Sequence, residues 1–285
     1  MRFAFAGIDM LAPAFEALLQ CGWTPHKLFT RPCDGLVDFN DRVIAIARQC
    51  AIPVQDTRIT PAEIAALADD GVACLVVAGY KWRVTGWEGV VPYAFNIHPS
   101  LLPEARGPFP VIRALLEGRR EWGVSAHKLA HDFDAGDILG RERFPVADSD
   151  TLDSVMIRCQ FAAGRLAARL AQDLPAHWHT AEAQVPGSYW QRPSDADRRL
   201  RFEAGTRAVL ATVRAFGRVE TIARLDGHDY HVAAACGWQE AHTLPPGLVV
   251  HDHGGHLTVT TRDGFVVLTR WNPLPLHQRG RQGSA

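Results

Sequence analysis

Short, mainly apolar runs alternate with helical patterns along the first half of the chain. Residues 3–6, 27–30 and 73–78 (ACLVVA) have strand length, and residues 11–21 and 40–50 repeat their apolar positions at helical spacing. Strands alternating with helices predict an α/β fold, a Rossmann-like, mostly parallel sheet with helices on both faces. Asp69-Asp70-Gly71 supplies a stop before the ACLVVA strand, and Gly79 lets the chain turn at its carboxyl end, where open α/β sheets place their ligands. The first residues, Met1 to Gly7, read as a buried strand and not as a secretory leader, and no window holds the ~18 apolar residues of a membrane span. The expectation is a soluble cytoplasmic protein with no membrane partner.

Further along, Leu152, Val155, Ile157, Phe161, Leu166 and Leu170 suggest a long amphipathic helix over 150–174. Residues 175–193 are rich in Pro, His, Gly and Gln without periodicity and read as an extended linker. After a helical stretch at 207–216 come β runs at 221–225, 230–234, 248–251, 257–261 and 265–268, separated by Asp226-Gly227, Gly254-Gly255 and Asp263-Gly264. Such spacing predicts a small antiparallel, OB-like β-barrel domain. The expected division is 1–180, a linker at 181–200, and 201–285.

Composition narrows the partners. The formal net charge is −1, so the whole chain is no electrostatic sink for nucleic acid. Residues 1–188 carry 18 basic and 22 acidic groups, and residues 189–285 carry 12 and 9, a mild asymmetry only. Six cysteines without a C-x-x-C pair are expected to be buried free thiols in a reducing compartment. Gly7 stands alone where a dinucleotide fingerprint needs three glycines, which argues against a nicotinamide cofactor. His251, His253 and His256 flank a Gly-Gly turn and are read as a polar hairpin tip, with no metal site.

Chemistry concentrates in Phe95-Asn96-Ile97-His98-Pro99-Ser100-Leu101-Leu102-Pro103, followed by Arg106-Gly107-Pro108-Phe109-Pro110. Asn96 and His98 are two apart, so on a strand both project to one face. Asp134, on a loop after Gly123-Val124-Ser125-Ala126-His127, is expected to meet His98 and raise its pKa by favouring the imidazolium. An amide, a His and an Asp without a G-x-S-x-G elbow or neighbouring Cys suit acyl transfer in which the nucleophile arrives with the substrate. Asn96 and a protonated His98 would donate to the oxyanion, and Asp134 would orient the His and help remove the nucleophile's proton. His127 is read either as lining the site or as structural, Arg106-Gly107 as shaping a loop or as a surface ion pair, and Asp137 as a turn carboxylate.

The blocks N-I-H-P-S-L-L-P, R-G-x-x-P, and G-V-x-x-H with D-x-G-D-I beginning seven residues beyond that His resemble the folate-dependent formyltransferase family over residues 1–180. Weaker likeness at Gln191 to Phe202 and over the β runs is similar to the carboxyl-terminal barrel of several members. The resemblance implies Asn96, His98 and Asp134 as the catalytic trio, 10-formyltetrahydrofolate as co-substrate without a metal, and a pterin pocket formed by backbone at Gly79, Tyr80, Lys81, Trp82 and Arg83 and by the loop of Ala135, Gly136 and Asp137. It implies transfer to an amine or hydroxylamine of a small molecule, such as an amino sugar nucleotide or an N-hydroxyornithine-type siderophore precursor. Methionyl-tRNA is the alternative acceptor; the loop 31–38, with one Arg against two Asp, weighs toward the small molecule. A 10-formyltetrahydrofolate hydrolase and a non-catalytic folate binder are further alternatives, and a homodimer is compatible with the family.

Overall fold

The computed structural model describes residues 1–35, 38–219 and 221–274. Leu36 and Val37 of the loop weighed above, and residues 275–285 of the expected second domain, lie outside the described residues. In chain order the first elements are β1 (Arg2–Gly7), α1 (Ala12–Gln20), β2 (Thr24–Phe29), α2 (Asp41–Gln49), β3 (Val54–Gln55), α3 (Pro61–Asp69), β4 (Cys74–Ala78) and β5 (Tyr93–His98). Then follow α4 (Pro110–Leu116), β6 (Glu121–Lys128), β7 (Ile138–Pro145), α5 (Leu152–Gln172) and α6 (Leu174–His179). The chain divides into two compact units, one of residues 1–110, 120–146 and 155–191, the other of 111–119, 147–154 and 192–285.

In the first unit seven strands lie in the order β3-β2-β1-β4-β5-β6-β7. Pairing is parallel from β3 to β5 and antiparallel for β5–β6 and β6–β7. The chain moves outward from β1 to β3, then crosses back to β4 on the other side of β1, and right-handed crossovers in opposite directions put their helices on opposite faces. The packing shows this. Phe3 and Phe5 point to the α1 side, where Phe5 stacks on Phe15 at 4.6 Å and Phe3 meets it edge-on at 5.7 Å. Ala4 and Ala6 point the other way and share a core with Ile64 and Leu67 of α3 and with Leu75 and Val77 of β4. Each large apolar side chain so buried contributes about 1.5–3 kcal/mol. Thr60 and Glu63 close a capping box at the start of α3.

The long helix α5 corrects one detail. Its buried stripe is Val155, Cys159, Ala162, Ala163, Leu166, Ala167 and Leu170, whereas Ile157 and Phe161 are exposed. Spacings of three and four select small residues that let the helix lie close, and Ile157, two residues from Val155, falls on the far side.

The second unit continues with α7 (Thr206–Phe216), β8 (Thr221–Leu225), β9 (His228–Gln239), β10 (Val249–His253), β11 (His256–Thr260) and β12 (Gly264–Pro273). These five antiparallel strands run β10-β11-β12-β9-β8, so among the described residues the small barrel expected from the sequence is an antiparallel sheet with β8 and β10 at its edges. Val209 and Val213 of α7 share its core with Val232, Val259, Val266 and Leu268. Asp263 accepts from the Thr206 amide at 2.7 Å and so caps α7, whose own N-cap, Gly205, has no side chain to do it. The Gly254–Gly255 turn, both residues at positive φ, joins β10 to β11 with His253 opposite His256, a hairpin tip as read.

Candidate active site

Strand β5 sets the site. It is the last parallel strand and the partner of the first antiparallel one, β6, in a register that places Asn96 opposite His127 and His98 opposite Ser125. Asn96 and His98, two apart, lie on one face as the alternation requires. The loop after β6 returns Asp134 to the same point. Asn96 Nδ2 donates to Asp134 Oδ1 at 3.3 Å and lies 3.1 Å from His127 Nε2. Asp134 Oδ1 is 3.5 Å from both His98 Nδ1 and His127 Nε2. The Gly107 amide donates to Asp134 Oδ2 at 3.0 Å. The four side chains that the sequence separates by up to 38 residues thus form one cluster.

Backbone carbonyls fix both imidazoles. His98 Nε2 faces Ala105 O at 3.0 Å and must donate to it, so Nδ1 is the nitrogen turned to Asp134. His127 Nδ1 faces Lys128 O at 2.8 Å, which leaves Nε2 to accept the Asn96 amide. Two non-glycine residues at positive φ belong to the site: Ala105 (59°), whose carbonyl holds His98, and Asp134 itself (56°). Residues in the left-handed region cost energy, and they cluster where geometry serves function. Gly136 is required by space, since a Cβ there would sit 2.0 Å from Lys128 O.

Electrostatics corrects one expectation. His98 is 6% exposed, and its burial, which disfavours the charged ring, outweighs the neighbouring Asp134 and the Ala105 carbonyl, so its pKa falls below the ordinary value instead of rising. Burial thus favours the neutral ring, in which Nε2 holds the proton for Ala105 O and Nδ1 turns a lone pair toward Asp134. Burial tends to raise Asp134 too, but the attraction of His98 in its charged form, the His127 ring and the Gly107 amide more than offset it and hold the carboxyl well below the usual carboxylate range. Both Asn96 amide hydrogens are engaged inside the cluster.

The expected pterin-pocket residues divide. Tyr80 is buried, its hydroxyl accepting from the Ile59 amide at 3.0 Å and donating to Thr57 O at 3.2 Å, with burial pushing its pKa up to about 12. That side chain belongs to the core. Trp82 packs on it edge-on at 5.3 Å and carries Lys81 over its ring at 5.0 Å. Arg83 lies over the ring of Phe133 at 4.9 Å, which brings the loop after β4 beside the loop that carries Asp134. Ala135 is half-buried and Gly136 buried, and Asp137 pairs with Lys128 at 3.1 Å, in line with its reading as a turn carboxylate. Arg106 shapes the loop through hydrogen bonds: its Nε donates to Gln184 Oε1 at 3.0 Å and its Nη2 to Val185 O at 3.3 Å. Ser125 donates to Ser100 O at 2.7 Å and Ser100 to Glu104 O at 2.9 Å, so both nearby hydroxyls are committed to the loop. All six cysteines are free thiols, but only Cys74 and Cys159 are buried.

A family model for formyl transferases matches residues 51–170, the span that holds Asn96, His98 and Asp134. A methionyl-tRNA formyltransferase of Thiobacillus denitrificans is 32% identical over 283 residues, covering 94% of this chain and 90% of the relative. The chain belongs to the folate-dependent formyltransferase family. A second methionyl-tRNA formyltransferase, from Pseudothermotoga lettingae, is 28% identical over 95% of this chain and 91% of its own length. Among solved structures, an N-formyltransferase from Helicobacter canadensis, crystallised with folinic acid and dTDP-3-aminofucose, aligns with a TM-score of 0.72 at 16% identity. It covers 95% of this chain and 99% of its own, a likeness of fold. As a formyltransferase the chain is a one-carbon group-transfer enzyme. Among the described residues no helix is long and apolar enough to cross a membrane.

The sequence reading missed Ala105, Gln184 and Ser188. Ala105 acts through its carbonyl, which no motif records. Gln184 and Ser188 lie in the aperiodic stretch taken for a linker, where nothing in the pattern marks them.

Proposed function

We propose that this formyltransferase moves the formyl group of 10-formyltetrahydrofolate to a neutral amine or hydroxylamine on a small molecule, with Asn96, His98 and Asp134 as the catalytic residues. The observation that carries this is the convergence of the three at the end of β5, with His98 Nδ1 turned inward and nearby hydroxyls committed elsewhere. The substrate nitrogen attacks the formyl carbon, and His98 Nδ1 takes the proton it sheds. The imidazolium so formed sits 3.5 Å from the Asp134 carboxylate, which stabilises it. One Asn96 N–H exchanges its 3.3 Å contact with Asp134 for the developing oxyanion. His98 then returns the proton to the departing folate nitrogen as the carbon–nitrogen bond breaks, giving the formylated acceptor and tetrahydrofolate. The backbone of residues 80–83 and 135–137, brought side by side through Arg83 and Phe133, would hold the pterin.

The small acceptor rests on the loop after β2. Arg31, its one cation, is paired with Asp38 inside the loop, so its charge is already matched and little remains for a chain of phosphates. A second reading, methionyl-tRNA as acceptor, is favoured by the near full-length relatives of that name. A cytoplasmic setting belongs to the same proposal and is supported by six free thiols. The test is a screen of amino sugar nucleotides, N-hydroxyornithine-type amines and charged initiator tRNA with the folate donor, read by mass gain of one formyl group. Formylation of the tRNA alone, steeply weakened by salt, overturns the small acceptor. Formate release without any amine acceptor makes the enzyme a hydrolase.

A further inference from the structure

The stretch read as a linker is built into the catalytic loops. Glu182 exchanges backbone hydrogen bonds with Ile138 at 2.8 and 2.9 Å, and the Arg106 amide donates to Ser188 O at 3.0 Å while the Trp190 amide donates to Arg106 O at 2.8 Å. Ser188 Oγ accepts from the Ala105 amide at 2.8 Å, just beside the carbonyl that fixes His98. Trp190 stacks on Trp122 at 5.8 Å, and Trp122 donates to Pro99 O, the residue after His98, at 3.0 Å. The approach is close, for a Cβ on Gly187 would meet Pro103 O at 1.9 Å.

Within this strap one side chain reaches both catalytic loops. Gln184 Nε2 donates to Asp134 O at 2.9 Å and to Gly136 O at 2.6 Å, and its Oε1 accepts from Arg106 Nε at 3.0 Å. All three groups of the carboxamide are therefore spent on the two segments that present Asp134. One is the loop whose left-handed residue is Asp134, and the other is the Arg106–Gly107 turn whose amide grips the Asp134 carboxylate. A backbone carbonyl taken from water needs a donor, and Gln184 supplies it to Asp134 O.

We propose that Gln184 is a positioning residue of the transfer reaction: it locks the Asp134 loop to the Arg106–Gly107 turn and so holds Asp134 opposite His98. Its kinetic readout rests on the transfer reading; its spectroscopic readout rests on geometry alone, so the two fail separately. The experiment compares the full chain with Gln184→Met, which keeps length and loses every hydrogen bond, and Gln184→Glu, which keeps the Arg106 contact and loses the donors. Three quantities are read: the His98 ring titration by NMR, hydrogen exchange of the Gly107 amide, and kcat and KM with 10-formyltetrahydrofolate and the acceptor from the screen.

Both variants should melt close to wild type, titrate His98 at lower pH than wild type because Asp134 no longer faces it, and exchange the Gly107 amide faster. Misplacing the carboxylate by about 1 Å should lower kcat by up to about a hundredfold with the donor KM little changed. Folded variants that keep the wild-type His98 titration and Gly107 exchange overturn the proposal. If neither variant folds, the side-chain amide of Gln184 in the wild-type protein decides: slowed solvent exchange supports the lock, and free, fast exchange overturns it. An inactive wild-type chain sinks the transfer reading while the titration still tests Gln184.

Discussion

Replacing Asp134 by Asn keeps the shape of the side chain and removes its charge, which isolates what the carboxylate does. At 3.5 Å from His98 Nδ1, a unit charge stabilises an imidazolium by about 5 kcal/mol at an effective dielectric of about 20. The Asn96 amide bonds Oδ1 and the Gly107 amide Oδ2, and a carboxamide has one oxygen for the two, so one charge-assisted contact of about 1.5–3 kcal/mol is lost and the other is weakened. Burial disfavours a charged His98 before the proton moves, so the ion pair counts chiefly afterwards, and its loss falls on the transition state more than on substrate binding. At about 1.4 kcal/mol per tenfold, kcat should fall by between two and four orders of magnitude with the donor KM nearly unchanged. The assay is the mass-gain transfer reaction under saturating donor, paired with an NMR titration of His98 in the variant. The His98 titration should move further below its ordinary value, since the one acidic group that raises it has gone. A loss smaller than about threefold, or a His98 that titrates higher in the variant, refutes the proton-relay reasoning.

Tyr80→Phe removes the partner of the buried Ile59 amide and should cost about 1–3 kcal/mol in urea unfolding while leaving donor affinity alone; weakened folate binding at unchanged stability would show that the Tyr80 hydroxyl itself serves the donor. Gly136→Ala drives a Cβ to 2.0 Å from Lys128 O and should destabilise by about 1–3 kcal/mol, so an unchanged melting temperature would contradict the described loop. In pH profiles of kcat/KM, activity should be lost as pH falls through the depressed pKa of His98, on a limb that stays put when acceptors of different basicity are exchanged. A buried His98 also binds its proton more readily once unfolded, so stability should decline as pH falls below the ordinary imidazole value of about 6.5; urea midpoints that rise on that acidification would contradict it.

Much of this protein was legible because its elements obey simple periods. Strands β1 and β4 are short, nearly all-apolar runs, helices α1 and α2 are bounded within a residue or two of the expected ends, and Asn96 and His98 share a face because strands alternate. The three-block motif located Asp134. What escaped was set by groups a sequence does not display. The Ala105 carbonyl chooses the tautomer of His98, and burial, not the nearby carboxylate, decides its charge. The committed hydroxyl of Tyr80 depends on Thr57 and Ile59, more than twenty residues away. The segment 182–190 lacks periodicity because it binds through single backbone pairs and one carboxamide, neither of which repeats along a chain.

The pairing of Asn96 with His127 across β5 and β6 also sets where this molecule tolerates changes of length. A residue inserted or removed between Gly123 and His127 would turn the paired side chains to the opposite side of the ladder and dismantle the chemistry at a stroke. His131 and Asp132, by contrast, stand almost wholly in solvent at the tip of the excursion that brings Asp134 back. Natural variation and engineered insertions should therefore collect at that tip, a place where the loop can grow outward while both of its feet stay planted.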